Sequence, residues 1–257
     1  MTMPLEIITI PCLADNYAFL MHDPDSGVTG LVDAPEAAPI KAELDRRGWG
    51  LDFVLLTHHH WDHIDALDEL RQIYKPSVVG AEADAHRLPP LEVAVKEGTA
   101  FSFAEEDVQI IEVPGHTVGH IAFYLPESRA VFTADSLMAL GCGRLFEGSP
   151  AQMWHSLNKL AALPSDIMVY SGHEYTQSNA DFALTIEPDN PALQARVAGI
   201  KKARNAGVAT VPSPLSLELS TNPFLRAGVA EVKQAMGMQG HDSEQVFTEI
   251  RKRKDNF

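Results

Sequence analysis

The sequence predicts an α/β fold in two parts. Sheets covered by helices occupy residues 1–173, and a smaller, mainly helical region occupies 174–257. Three observations predict this. Short apolar, β-branched runs recur through the first two thirds of the chain. Helically spaced segments with Gly or Pro stops fall between them. After Gly172 the strand-like runs give way to helical ones, which places a boundary near Glu174.

The elements follow in order. Leu5–Ile10 reads as a strand, and Tyr17–Met21 follows the turn signal Ala14-Asp15-Asn16. Gly30–Val32 is a third short run, ending at Asp33. Residues Pro35–Arg47 carry helical spacing at Ile40 and Leu44 and stop at Gly48. Phe53–Leu56 is continuously apolar, as a strand covered on both faces should be. Asp65–Tyr74 is helical and Val78-Val79 extended. Val108–Val113, Ile121–Leu125, Ala130–Thr133 and Ile167–Tyr170 are further strands, with an amphipathic helix over Met153–Leu163 stopped by Pro164. Thr176–Ile186, Pro191–Asn205 and Ser243–Lys254 are helical, with Pro-bearing connectors at Glu187–Pro191 and Val211–Pro214.

Composition narrows the function classes. The chain has 257 residues, with 20 Lys and Arg against 35 Asp and Glu and a net charge of −15. That field repels polyanions, so neither nucleic acid nor an anionic membrane surface is an expected partner. The two cysteines, Cys12 and Cys142, are no disulfide framework and suit a reducing cytoplasm. No basic segment with a long apolar run follows the N-terminus, and no stretch reaches membrane-span length.

Histidine is the uneven residue. His58, His59, His60 and His63 cluster in Thr57-His58-His59-His60-Trp61-Asp62-His63, where even spreading of the chain's 11 histidines would put fewer than one. Imidazole with carboxylate is the ligand set of zinc and similar ions. Three further strands end in the same way, at Val113-Pro114-Gly115-His116, Phe132-Thr133-Ala134-Asp135 and Val169-Tyr170-Ser171-Gly172-His173. Four apolar strands that each deliver a His or Asp at the terminal turn imply convergence on one site.

His58-x-His60-x-Asp62-His63, followed by His116, Asp135 and His173, resembles the metal-binding pattern of the metallo-β-lactamase superfamily. The resemblance implies an αββα sandwich and two divalent metal ions, zinc first, with iron or manganese as alternatives. It implies that His58, His60 and His116 hold one ion, that Asp62, His63 and His173 hold the other, and that Asp135 bridges them. Asp62 and Asp135 would also orient the attacking water.

Further segments resemble the glyoxalase II family, the hydroxyacylglutathione hydrolases. They are Pro11-Cys12-Leu13-x-Asp15-Asn16-Tyr17, Gly141–Gly148, His173-Glu174-Tyr175-Thr176, Thr221–Arg226 and the terminal Arg251-x-x-Lys254-Asp255-x-Phe257. That resemblance implies a cytoplasmic monomer which hydrolyses S-(2-hydroxyacyl)glutathione, such as S-D-lactoylglutathione, to glutathione and D-lactate by hydroxide generated at the metals. Arg144, Phe146, Tyr175, Arg251 and Lys254 would contact glutathione, whose carboxylates an Arg fork and a Lys point charge suit. The sequence departs from the pattern twice. Phe146 stands where some relatives have Tyr, and Ile64-Asp65-Ala66 stands where a small residue and two glycines are common. The alternatives are another hydrolase of this fold, a sulfur dioxygenase acting on a glutathione derivative, and a non-catalytic metal-binding module. His59 is expected to point away or pack behind the ligands, and Asp33 to serve as a turn or supporting group.

Overall fold

A computed structural model describes residues 4–257, so the first three residues of the expected 1–173 part lie outside it. The chain divides into two compact units. The first runs up to Glu112 and includes Gly119–Phe132; the second comprises Val113–Val118 and Thr133–Phe257.

The first unit opens with the antiparallel strands β1 (Glu6–Cys12), β2 (Asn16–His22) and β3 (Thr29–Val32). Helix α1 (Ala37–Arg47) crosses over to the parallel strand β4 (Phe53–Leu55). Helices α2 (Trp61–Ile64) and α3 (Leu67–Tyr74) lead to β5 (Ser77–Ala81), and β6 (Val93–Val95) follows. These strands form one sheet in the order β1-β2-β3-β4-β5-β6. Parallel neighbours require crossovers of this length, which is why helices separate β3, β4 and β5. Strands β7 (Phe101–Phe103), β8 (Glu106–Glu112), β9 (Ile121–Leu125) and β10 (Ala130–Ala134) form an antiparallel run, and β10 leads into the second unit at Thr133.

Register follows from burial. Every residue of β3 and β9 is buried, and β4 pairs Val32 with Leu55 while β5 pairs Leu55 with Val79. Phe19 on β2 packs on Phe132 of β10 at 5.6 Å between ring centroids, so side chains of both sheets share this unit's core. Helix α1 buries Ile40 and Leu44 and ends at Gly48 in the left-handed region (φ 68°), the conformation that a glycine adopts without penalty.

The second unit contains the hairpin β11 (Leu137–Met138) and β12 (Gly141–Cys142), helix α4 (Pro150–Ala161) and β13 (Met168–Ser171). Helices α5 (Thr176–Ile186) and α6 (Pro191–Asn205) come next. Strand β14 (Ser213–Pro214) pairs antiparallel with β13. Helices α7 (Leu215–Thr221), α8 (Ala230–Ala235) and α9 (Ser243–Asp255) complete the unit. Helix α4 starts three residues earlier than its apolar pattern predicts. Ser149 and Gln152 form a reciprocal capping box there, with Pro150 in the first turn. Leu140, Ala180, Ala183, Leu193, Val197 and Ile200 make one apolar cluster that joins the hairpin tip to α5 and α6.

One buried carboxylate organises this unit. Glu218 is fully buried and accepts from the Leu140 backbone N–H (2.9 Å), from Asn222 Nδ2 (3.2 Å), from Ser213 and from the Arg196 guanidinium. Leu140 sits at φ 57°, an unfavourable angle for a β-branch-free but bulky side chain, and the Glu218 contact holds it there. Among the described residues no helix is long and apolar enough to cross a membrane.

Glu218→Ala strands a buried guanidinium and should lower unfolding free energy by about 3–5 kcal/mol in a urea titration. Adding Arg196→Met should recover a large part of that loss.

Candidate metal centre

In the first unit, β4 ends and the chain turns into the histidine run. Asp33, at the end of β3, is 3% exposed and accepts three hydrogen bonds. Its Oδ1 takes the Thr57 backbone N–H at 2.9 Å. Its Oδ2 takes the Thr57 hydroxyl at 2.9 Å and His63 Nδ1 at 2.8 Å. A hydroxyl has one proton, and Thr57 gives it to Asp33; the Thr57 oxygen therefore accepts from His58 Nδ1, 3.0 Å away. Both histidines are thus held by Nδ1, so Nε2 is the nitrogen suited to a metal ion. Asp33, His58 and His63 also place ligand atoms within 4.8 Å of one another.

Neighbouring residues of this unit add further imidazole and carboxylate groups. The His60 ring lies 4.8 Å from that of His58, and His63 Nε2 is 3.9 Å from Asp62 Oδ2. His59 turns instead to Asp84, with Nδ1 at 3.1 Å from the carboxylate. His120 stacks on His58 at 4.6 Å and donates from Nδ1 to the Ile121 carbonyl. The replaced glycines have no conformational consequence. Asp65 (φ −63°) and Ala66 (φ −80°) both lie in the right-handed region that ordinary residues adopt.

The second unit supplies His116, Asp135 and His173. Asp135 presents one oxygen to each histidine: Oδ2 is 3.3 Å from His116 Nε2 and Oδ1 is 3.3 Å from His173 Nε2. His116 donates from Nδ1 to the Arg144 carbonyl at 2.8 Å, so it too presents Nε2. Ala134, just before Asp135, takes the strained angle φ 40°, and Gly172 N–H holds its carbonyl at 3.1 Å. Gly143 has to be glycine, because a Cβ there would collide with the Asp135 carbonyl oxygen. Imidazole Nε2 and carboxylate oxygen form the donor set in both units, and this set fits a divalent transition metal.

The residues expected to contact glutathione all lie in the second unit. Phe146 packs edge-on against His116 at 5.3 Å, and Tyr175 stacks on His173 at 4.7 Å. The Arg144 side chain is exposed, with Nε 3.9 Å from Asp255. Arg251 is buried; Nη1 donates to the Cys142 carbonyl at 3.0 Å, while Nε and Nη2 reach Asp255 at 3.1 and 2.8 Å. Lys254 Nζ donates to Ser178 and lies over the rings of Phe182 and Phe257, and burial holds its pKa below the usual lysine value. Asn222, in the Thr221–Arg226 segment, donates from Nδ2 to the Met138 and Gly141 carbonyls and so fixes the hairpin that leads to Arg144. Burial pushes the Cys142 thiol up to about 11, so it is no nucleophile at neutral pH.

Residues 25–173 match the metallo-beta-lactamase superfamily, and residues 174–257 match the family described as hydroxyacylglutathione hydrolase C-terminus. A hydroxyacylglutathione hydrolase of Ruegeria pomeroyi is 68% identical over 255 residues, which is 99% of this chain and 100% of the relative. The chain belongs to the hydroxyacylglutathione hydrolase family. The family is that of metal-dependent hydrolases with a metallo-β-lactamase fold, and this α/β chain carries its C-terminal helical region as well. A hydroxyacylglutathione hydrolase of Cereibacter sphaeroides is 58% identical over 99% of this chain and 100% of its own length. The solved structure of ETHE1 from Myxococcus xanthus shares the fold, with a TM-score of 0.67 and 23% identity over 97% of this chain and 90% of that one.

Asp33 is a support, within the expectation of a turn or supporting group; its three acceptor contacts, with residues 24 to 30 positions away, are not legible in the sequence. Asp33→Ala should weaken metal binding about 10–100-fold in a chelator competition. The metal-free variant should also lose about 1–3 kcal/mol of stability, because the Thr57 N–H and hydroxyl lose their acceptor.

Proposed function

We propose that this protein hydrolyses S-(2-hydroxyacyl)glutathione thioesters, S-D-lactoylglutathione among them, to glutathione and the 2-hydroxy acid. The observation that carries the reading is the Asp135 carboxylate, with one oxygen against His116 and the other against His173. That geometry suits a carboxylate shared between two ions. On the family pattern, His58, His60 and His116 would hold one ion, Asp62, His63 and His173 the second, and Asp135 would bridge. Such ions, zinc in our reading with iron or manganese as substitutes, supply Lewis-acid polarisation and water of lowered pKa.

The chain's own residues then have separate tasks. Asp62 and Asp135 offset metal charge and orient the water. Arg144, Arg251 and Lys254 supply cations for the carboxylates of glutathione, and Phe146 and Tyr175 give its backbone two aromatic walls. Phe146 offers no hydroxyl, so recognition there is by packing alone. The leaving group is a thiolate with a thiol pKa of about 8.5 for a Cys-like thiol, and it needs little help from an acid. Residues 1–173 in this reading carry the ion ligands, and 174–257 hold most of the glutathione moiety. The protein acts in the cytoplasm, a reading supported by the buried, unbridged thiols of Cys12 and Cys142, and as a monomer, which sedimentation velocity tests.

Absorbance loss of S-D-lactoylglutathione on adding metal-replete protein tests the activity; no turnover with two ions bound per chain would sink it. Asp135→Ala should lower kcat/KM by about 10³-fold or more and reduce the metal bound. Lys254→Ala should raise KM about tenfold while kcat stays within about twofold, since it removes a charged binding contact.

A further inference from the structure

We propose that Asn16 is the positioning residue for Asp62, presenting that carboxylate to a metal ion; this rests on the metal-binding reading above. Asn16 is 5% exposed and opens β2. An asparagine beside a turn ordinarily spends its side chain on its own backbone. Here Nδ2 reaches 46 residues along the chain. It donates to the Asp62 carbonyl at 3.0 Å and to Asp62 Oδ2 at 3.1 Å. One amide group, with two protons, thus grips both the main chain and the carboxylate of the same residue.

That double grip has a specific consequence. The carbonyl contact fixes where the first turn of α2 sits, and the carboxylate contact fixes the side-chain rotamer. The Asp62 side chain is 22% exposed, and the carboxylate contact restricts its rotamers before an ion is taken up, which lowers the entropy cost of binding. The helix itself cannot supply this restraint: α2 spans only Trp61–Ile64, and no side chain caps it.

Asn16 can act this way because its own place is rigid. The β1–β2 hairpin pairs residue by residue from Glu6 with His22 to Cys12 with Asn16. The intervening turn is held from its other side, where the Leu13 N–H donates to Glu36 Oε2 at 2.7 Å and Leu13 takes φ 50°. A ligand-supporting group on a paired strand holds geometry better than one on a loop. The residue types also fit the task. An amide gives protons to a carboxylate without adding charge, whereas Asp in this place would repel Asp62 and compete for the ion.

The test uses the full chain with Asn16→Ala and the near-isosteric, donor-free Asn16→Leu, so that one misfolded variant does not end the experiment. Chelator competition with zinc, the visible spectrum of the cobalt(II)-loaded protein and the thermal midpoint of the metal-free protein are read together. One of two ions should weaken about 10–100-fold in each folded variant, with an altered cobalt spectrum and the other ion unchanged. Equal affinity at both ions with an unchanged spectrum, even if the metal-free midpoint falls, assigns Asn16 a purely structural role and overturns the proposal. An equal loss at both ions overturns it as well. The metal-free wild type supplies an arm independent of any ion: the Asn16 side-chain amide protons should exchange slowly, and faster in Asp62→Ala. Unprotected Asn16 protons overturn the positioning role, whereas wild-type protein that binds no ion overturns the metal reading instead.

Discussion

The Asp33 carboxylate is the contact on which the first unit's chemistry depends. It is a buried carboxylate that accepts from a strand-terminal N–H, a hydroxyl and an imidazole, and it orients a second imidazole through that hydroxyl. A buried carboxylate is tolerable only when its oxygens are fully occupied. The same requirement fixes which nitrogen of His58 and His63 the protein itself holds, and so which one suits a metal ion. The backbone pays for this in one place, with Asp33 at φ 56°, a region that Asp tolerates better than most residues.

The second unit repeats the logic with other residues. Glu218 and Asn222 hold the β11–β12 hairpin by its backbone, and the hairpin leads directly into Gly143 and Arg144. The Arg144 carbonyl then orients His116, so the loop that carries this exposed cation also sets a histidine. Arg251 ties α9 to the same loop through the Cys142 carbonyl. Strain collects where these supports act: Ala134 before Asp135 and Leu140 in the hairpin both have positive φ, and each is held by a hydrogen bond from elsewhere in the unit.

The net charge of −15 reads differently with these residues in place. Several of the acids are not a solvated field but internal acceptors: Asp33, Asp84 and Glu218 are each buried against donors. Cations are gathered at the end of the chain, in Arg251, Lys252, Arg253 and Lys254 of α9. A small anion meets that local charge, whereas a polyanion meets the average, which the acidic excess dominates.

The sequence by itself determined most element types, the α/β fold class with a helical C-terminal region, and the candidate donor residues. These are carried by local pattern: apolar runs for β4 and β9, helical spacing for α1 and α6, and His or Asp at strand ends. It did not reveal β6, β7, β11, β12 or β14, strands of two or three residues with no periodicity to read; β4, equally short, stood out only through the longer apolar run Phe53–Leu56. The start of α4 was in fact written in Ser149 and Gln152, where the cap outweighed the apolar spacing. Only the tertiary structure decided what the supporting polar residues hold. Asn16 looks like a turn asparagine, Asp33 like a turn or supporting group with no partner indicated, and Asn222 like one member of the Thr221–Arg226 segment. Their partners lie 24 to 84 positions away, and a hydrogen bond over such a separation exists only once the chain has folded to bring its ends together.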